Sequence, residues 1–159
     1  MARITILAFA WAALLTASAA GAATQVQRSI PFDEGAGGSE KVRSECQIQT
    51  RVPEAVKEFA ADVELVDGAL NKNGRALELS IMEVHAPGGG PFSGPKWMAV
   101  YGKLYEKGKM VGSFRAKRLS TGAFRGTCST LARCAQSIGE DIAKWLQAPS
   151  MDAELGDAR

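Results

Sequence analysis

The chain has 159 residues, 46% of them hydrophobic and 23% charged, with a formal net charge of +2 at pH 7. Less the targeting segment at its start, that is enough sequence for one domain with a single core and too little for two. A charge so close to balance gives no general signature of a nucleic-acid binder, and none is expected as a partner.

Taken in order, the chain begins with Arg3, an apolar run from Ile4 to Leu15, and the small residues Ser18 to Ala23. A positive start, a short apolar stretch and small residues before a cut are the marks of a signal peptide. Residues 1–23 are therefore expected to be removed, after Ala22 or Ala23, and the mature chain to be periplasmic or secreted with no transmembrane segment. The apolar run is too short to span a bilayer, which takes about 20 residues. No cysteine stands at the cut, so a lipid anchor is not indicated.

Residues 24–40 are polar and then Gly-rich, which predicts a flexible lead-in with a short edge segment at Ser29–Phe32. Lys41 to Thr50 alternates Val42, Cys46 and Ile48 against Arg43, Glu45, Gln47 and Gln49, the pattern of a half-buried strand. Pro53 then suits a first helical position, and Val56, Phe59 and Ala60 follow on one face of a short helix to about Ala61. Val63–Val66 reads as a brief extended piece, and Asp67-Gly68 and Asn71–Gly74 are turn chemistry.

Three strands come next. Ala76 to Ala86 places Leu77, Leu79 and Ile81 on one face, then slips phase to Val84, which predicts a bulge near Met82-Glu83. Trp97 to Tyr105 sets Met98, Val100 and Leu104 against Trp97, Tyr101, Lys103 and Tyr105. Glu106–Lys109 is a tight hairpin connection, and Met110 to Leu119 turns Phe114 and Ala116 inward, Arg115 and Lys117 outward. Gly126 to Leu146 then carries Leu131, Ala135, Ile138, Ile142, Trp145 and Leu146 at helical spacing, with Thr127 or Ser129 as N-cap and Pro149 as the stop. This long helix must lay its apolar stripe on the strands before it. Residues 41–148 thus make a single α+β domain, a two-layer sandwich with a mainly antiparallel sheet and two helices on one face, and 149–159 a flexible tail.

Cys46, Cys128 and Cys134 permit one disulfide in an oxidising space and leave one thiol over. Cys128 and Cys134 lie six apart, about 9 Å of rise within one helix and beyond bonding reach, so they could pair only if Cys128 lies before the first turn. Either could pair with Cys46, and Cys46–Cys128 is favoured. No Cys-x-x-Cys and no zinc-like ligand spacing occurs, and neither a metal nor a cofactor is expected.

From Lys96 to Arg133 there are nine basic residues against one acid, Glu106, whereas Thr24 to Pro95 holds seven basic and eleven acidic. The strand phase puts Tyr101, Lys103 and Tyr105 on one face with Arg115 and Lys117. Cations interleaved with aromatics can hold anionic polymers, through counter-charge and cation–π contact. In an exported chain that points to anionic lipid, polysaccharide or an acidic envelope protein. The bland reading is that lysines decorate an exposed sheet face.

The loop Gly88 to Lys96 fails as a phosphate cradle, because a P-loop leads Gly-Lys-Ser/Thr into a helix and this loop leads into a strand. His85 is the lone histidine, and with Ser93 or the spare cysteine it offers the materials for a small hydrolase or redox protein. No nucleophile-elbow motif surrounds a serine, so an enzyme is the secondary reading.

Gly126-Thr127-Cys128-Ser129, Cys134 and Ile138-Gly139-Glu140-Asp141-Ile142-Ala143-Lys144-Trp145-Leu146, with the glycine loop upstream, resemble a group of small uncharacterised exported proteins of proteobacteria. In element order the chain is also similar to the amino-terminal module of TolB and to transport-auxiliary lipoproteins. These resemblances imply an envelope accessory domain and supply no catalytic residue.

Overall fold

The computed structural model describes residues 23–87, 94–120 and 126–158. Residues 1–22, which make up all but the last residue of the expected signal peptide, residues 88–93 with Ser93, residues 121–125 and Arg159 lie outside the described residues.

The fold is α+β. Six strands form one mixed sheet in the order β2-β1-β3-β4-β5-β6. They are β1 (Thr24–Gln27), β2 (Val63–Val66), β3 (Arg75–His85), β4 (Lys96–Glu106), β5 (Lys109–Ser120) and β6 (Ala153–Gly156). The three long strands β3, β4 and β5 pair antiparallel at its centre, and the short flanking strands join in parallel. Three helices, α1 (Glu40–Cys46), α2 (Ile48–Phe59) and α3 (Thr127–Trp145), lie on one face.

The predicted strand at Lys41–Thr50 is instead α1 and the first turn of α2. The spacing is ambiguous, because Val42 and Cys46 are also four apart and Ile48, Val52 and Val56 continue at that step. Local chemistry decides for helix. Ser39 caps α1 by accepting from the Val42 N–H at 3.3 Å, and Gln47, left-handed at φ 50°, turns the chain directly from one helix into the next. Pro53 sits inside α2, not at its start. Having no N–H, it leaves the Gln49 carbonyl free of its helical partner. That carbonyl accepts from the Ile30 N–H at 3.1 Å, fastening the segment after β1 to the helix.

Two further differences extend the sheet. Thr24–Gln27, within the stretch expected to be a loose lead-in, runs between β2 and β3 and buries Val26 completely. Ala153–Gly156, expected as tail, pairs with β5 from Phe114 to Lys117. Ser113 anchors it: its hydroxyl donates to Asp152 and accepts the Asp152 N–H, at 2.9 and 2.8 Å. Four-residue strands with one or two apolar side chains carry almost no periodic signal.

The bulge falls where the phase slip places it, with the β3–β4 register shifting between Ile81 and Glu83. Lys107 and Gly108 both take positive φ, 51° and 77°, the requirement of a tight I′ hairpin turn.

The core lies between the sheet and α2–α3. Leu131, Ile138 and Ile142 are fully buried, as are Leu77, Leu79, Ile81, Val100, Leu104 and Phe114. A Cβ on Gly139 would collide with the Ala55 Cβ, so this glycine lets α3 approach α2 closely. Gly102 plays the same part in the sheet, making room for the Phe114 ring, which packs edge to face with Trp145 at 4.7 Å between ring centroids. Gly126 is the N-cap of α3, not Thr127 or Ser129, and the Ser129 hydroxyl donates to its carbonyl at 2.9 Å. Cys46 and Cys128 are disulfide-bonded, tying the end of α1 to the first turn of α3 across 82 residues of sequence.

Candidate functional site

Because all three helices gather on one side, the other face of the sheet stays open, and the strand alternation decides what it displays. The five residues singled out in the sequence all point there. Tyr101, Lys103 and Tyr105 stand along β4, and Arg115 and Lys117 along β5. Arg115 is directly opposite Tyr101, which has Ser80 of β3 on its other side. Lys103 lies between Glu78 and Ser113, and Ala99 between Glu83 and Lys117.

The face is more ordered than a scatter of lysines. Lys103 Nζ lies 5.4 Å from the centroid of the Tyr101 ring, Lys72 Nζ 4.2 Å from that of Tyr105, and Lys117 Nζ 5.2 Å from the ring of Trp97. All three are within cation–π range. Trp97 is also stacked on His85, with centroids 3.6 Å apart and planes 8° from parallel. Its indole N–H donates to Glu83 at 2.8 Å, which fixes the ring's orientation.

Acids temper the charge. Glu78 binds Lys72 at 3.0 Å and Glu83 lies 3.9 Å from Lys117. The bond to Glu78 raises the Lys72 ammonium above the ordinary lysine range. Lys103 and Arg115 have no ion pair among the described residues, so the cations open to a ligand sit beside Tyr101. Beneath the long stems, Ala99 and Ser113 are buried, giving the centre of the face its low relief.

Sequence reasoning placed Trp97 on this side of β4 without counting it among the binding residues, and left out His85, Glu78, Glu83 and Lys72 as parts of this surface. For Trp97 the signal was present, since it shares the period-two phase of Tyr101. Glu78 and Ser80 alternate with Leu77, Leu79 and Ile81 and could have been placed the same way. Lys72 comes from a turn, and no periodicity reaches it.

Of the residues offered for an enzymatic site, Ser93 lies outside the described residues, and His85 and Cys134 do not come together. His85 is on the open face, whereas Cys134, the free thiol, is buried under α3 on the other side of the sheet. Burial pushes that thiol from 9.0 up to about 11, away from the thiolate a nucleophile needs. A cavity of about 340 Å³ opens beside it, lined by Arg118, Ser120, Arg133 and Ser137 among others, and His85 is not in its walls. No three His, Cys, Asp or Glu side chains among the described residues group as metal ligands. No helix among them is long and apolar enough to cross a membrane.

Fold and face together define a two-layer α+β module with one sheet surface left uncovered. No protein-family model matches the chain, and no curated protein matches it in sequence. Among solved structures it is similar to an uncharacterised protein, at 10% identity and a TM-score of 0.59, over 79% of this chain and 93% of that one. That similarity is one of fold. Two crystal structures of the PelC dodecamer from Paraburkholderia phytofirmans align at 15% and 17% identity, with TM-scores of 0.48 and 0.49. They cover 76% of this chain and 85% and 87% of theirs. At that level the overlap says nothing further about this chain.

Proposed function

We propose that the chain is a non-enzymatic binding module of the bacterial periplasm, and that the open face of its β4–β5 hairpin holds an anionic envelope component. The observation that carries this reading is the pair Lys103 and Arg115, without an ion pair among the described residues and flanking Tyr101 on an uncovered sheet. Export rests on the signal-like first 23 residues, with which a disulfide is in keeping. The resemblance to exported proteobacterial proteins belongs to the same proposal.

Opposite charges at an exposed surface attract a polyanion over roughly a Debye length, which shrinks from about 10 Å at 0.1 M salt to about 3 Å at 1 M. Binding to vesicles of anionic phospholipid, or to lipopolysaccharide, should therefore weaken steeply over that range. The variant Lys103→Gln/Arg115→Gln/Lys117→Gln is the test. Retention of this triple variant equal to that of the natural chain, at low salt, would remove the proposal.

A further inference from the structure

The open face is laid out in three columns, each on one strand. The acids Glu78 and Glu83 are on β3 with Ser80, the aromatics Trp97, Tyr101 and Tyr105 on β4 with Lys103 between the two tyrosines, and the cations Arg115 and Lys117 on β5, where Glu154 of β6 lies beside Arg115. The aromatics recur every fourth residue, about 14 Å apart at a strand's rise of roughly 3.4 Å per residue. From Trp97 to Tyr105 the row runs about 27 Å. Each ring has a lysine ammonium over it.

A flat anionic surface fits this layout poorly. Laid over the sheet it would meet Glu78 and Glu83 together with the cations, and part of the attraction would be lost to repulsion. A narrow, linear ligand running along β4 meets each column separately. We infer that the ligand of the open face is a linear acidic polysaccharide, with uronic-acid units laid along β4; this rests on the anionic-ligand reading above. The three columns suit the three chemistries of such a chain. Its carboxylates turn toward Lys103, Arg115 and Lys117. Its hydroxyls donate to Glu78, Glu83 and Ser80, since an ionised carboxylate is a strong acceptor. Its C–H faces lie on Tyr101 and Tyr105 once the flexible lysine stems swing from ring to carboxylate. Trp97, held by His85 and Glu83, stays in place and closes one end of the row. An acidic polypeptide has no comparable row of hydroxyl donors for the β3 side, and the glycerol hydroxyls of a phosphatidylglycerol layer are spread over a plane among the phosphates and not strung along one line beside them.

Three probes test this by calorimetry at low salt: a hexauronate, a diuronate, and phosphatidylglycerol vesicles. The hexauronate should bind at least about tenfold more tightly than the diuronate, because only the longer chain spans the row. Tyr101→Ala should weaken hexauronate binding several-fold. The decisive variant is Glu78→Gln/Glu83→Gln. It frees Lys72 and Lys117 from their acids, so simple charge attraction predicts tighter binding to every anion. Loss of hydroxyl acceptors predicts weaker binding to the hexauronate alone, by about three- to tenfold, with vesicle retention unchanged or raised. Far-UV circular dichroism establishes that each variant is folded. Vesicle binding without hexauronate binding, or a hexauronate affinity that rises in the glutamine variant, would overturn the polysaccharide assignment and leave the anionic-face reading standing. No binding to any of the three probes would overturn both.

Discussion

The two faces of one sheet obey different rules, although the same strands supply both. Phe114 and Arg115 are neighbours on β5. The first is fully buried against Gly102 and Trp145, the second is exposed opposite Tyr101. On the covered face, shape is decisive: a glycine admits an aromatic ring, another admits a helix, and most side chains are apolar. On the open face, charge and order are decisive, and small residues such as Ala99 lie low between longer ones. Stability is therefore concentrated on one face, and recognition can be placed on the other without disturbing it.

The sharpest break of that contrast is Phe114→Ala. It should cost about 3–5 kcal/mol, through lost burial and the cavity left between Gly102 and Trp145, read as a lowered urea midpoint. Tyr101→Ala, one strand over and facing outward, should change the midpoint little. Equal effects would mean that the open face also bears on folding.

Next comes the bond that fastens the helical layer to itself. Cys46→Ala/Cys128→Ala releases a closure of 82 residues and should cost about 2–4 kcal/mol. The pairing belongs wholly to the covered side, so a binding assay on the folded double variant should be unaltered.

The free thiol gives a contrast in pH. With Cys134 pushed up to about 11 from 9.0, the unfolded chain loses its proton first. The folded state then holds more protons over that window, and stability falls as pH rises through it. Below pH 9 this contribution is fully present, and by pH 11 the loss amounts to roughly 2–3 kcal/mol at about 1.4 kcal/mol per unit. The difference between the natural chain and Cys134→Ala isolates it from the lysines and tyrosines that titrate nearby. A pH profile identical in the two would show a thiol that water reaches.

How much of this was legible in the sequence follows the same division. The alternation of the long strands placed Trp97, Tyr101, Lys103, Tyr105, Arg115 and Lys117 on one face and Phe114 on the other, because burial on one side enforces a strict period of two. Around Cys46 the residues satisfied two periods at once, and only the Ser39 cap and the Gln47 turn settle the matter for helix. The short strands β1 and β6 were illegible for another reason. Their pairing is conferred by neighbours, Val66 and Leu77 beside β1 and the Ser113–Asp152 bonds beside β6, and not by any pattern of their own. The ordering of the open face was also hidden, since Glu78 and Glu83 acquire meaning only once β3 is known to lie beside β4.

At the seam between the faces stands Arg118. Its guanidinium binds Asp141 of α3 through two contacts of 2.7 Å and lies 3.7 Å from Asp157, just after β6. The bonds to Asp141 raise the guanidinium above its already high ordinary value, so it stays charged at any pH the protein meets. The two side chains retain 32% and 13% of their surface, so part of the Coulomb gain is lost to solvent. Asp141→Asn should cost about 1–2 kcal/mol, above the yield of a fully exposed pair and below that of the disulfide.

The smallest stability effect belongs to the site itself. Lys103 and Arg115 have no ion pair among the described residues, Arg115 is exposed and Lys103 half-buried, so Lys103→Gln/Arg115→Gln should move the folding free energy by no more than about 0.5 kcal/mol. The same change should lower anion binding by at least about tenfold at 0.1 M salt, with the gap closing toward 1 M as screening removes the attraction. A variant that loses stability along with binding would place these cations in the fold's own support. One that loses neither would leave the open face as solvated surface, with the cations serving only to keep the sheet from pairing with its neighbours.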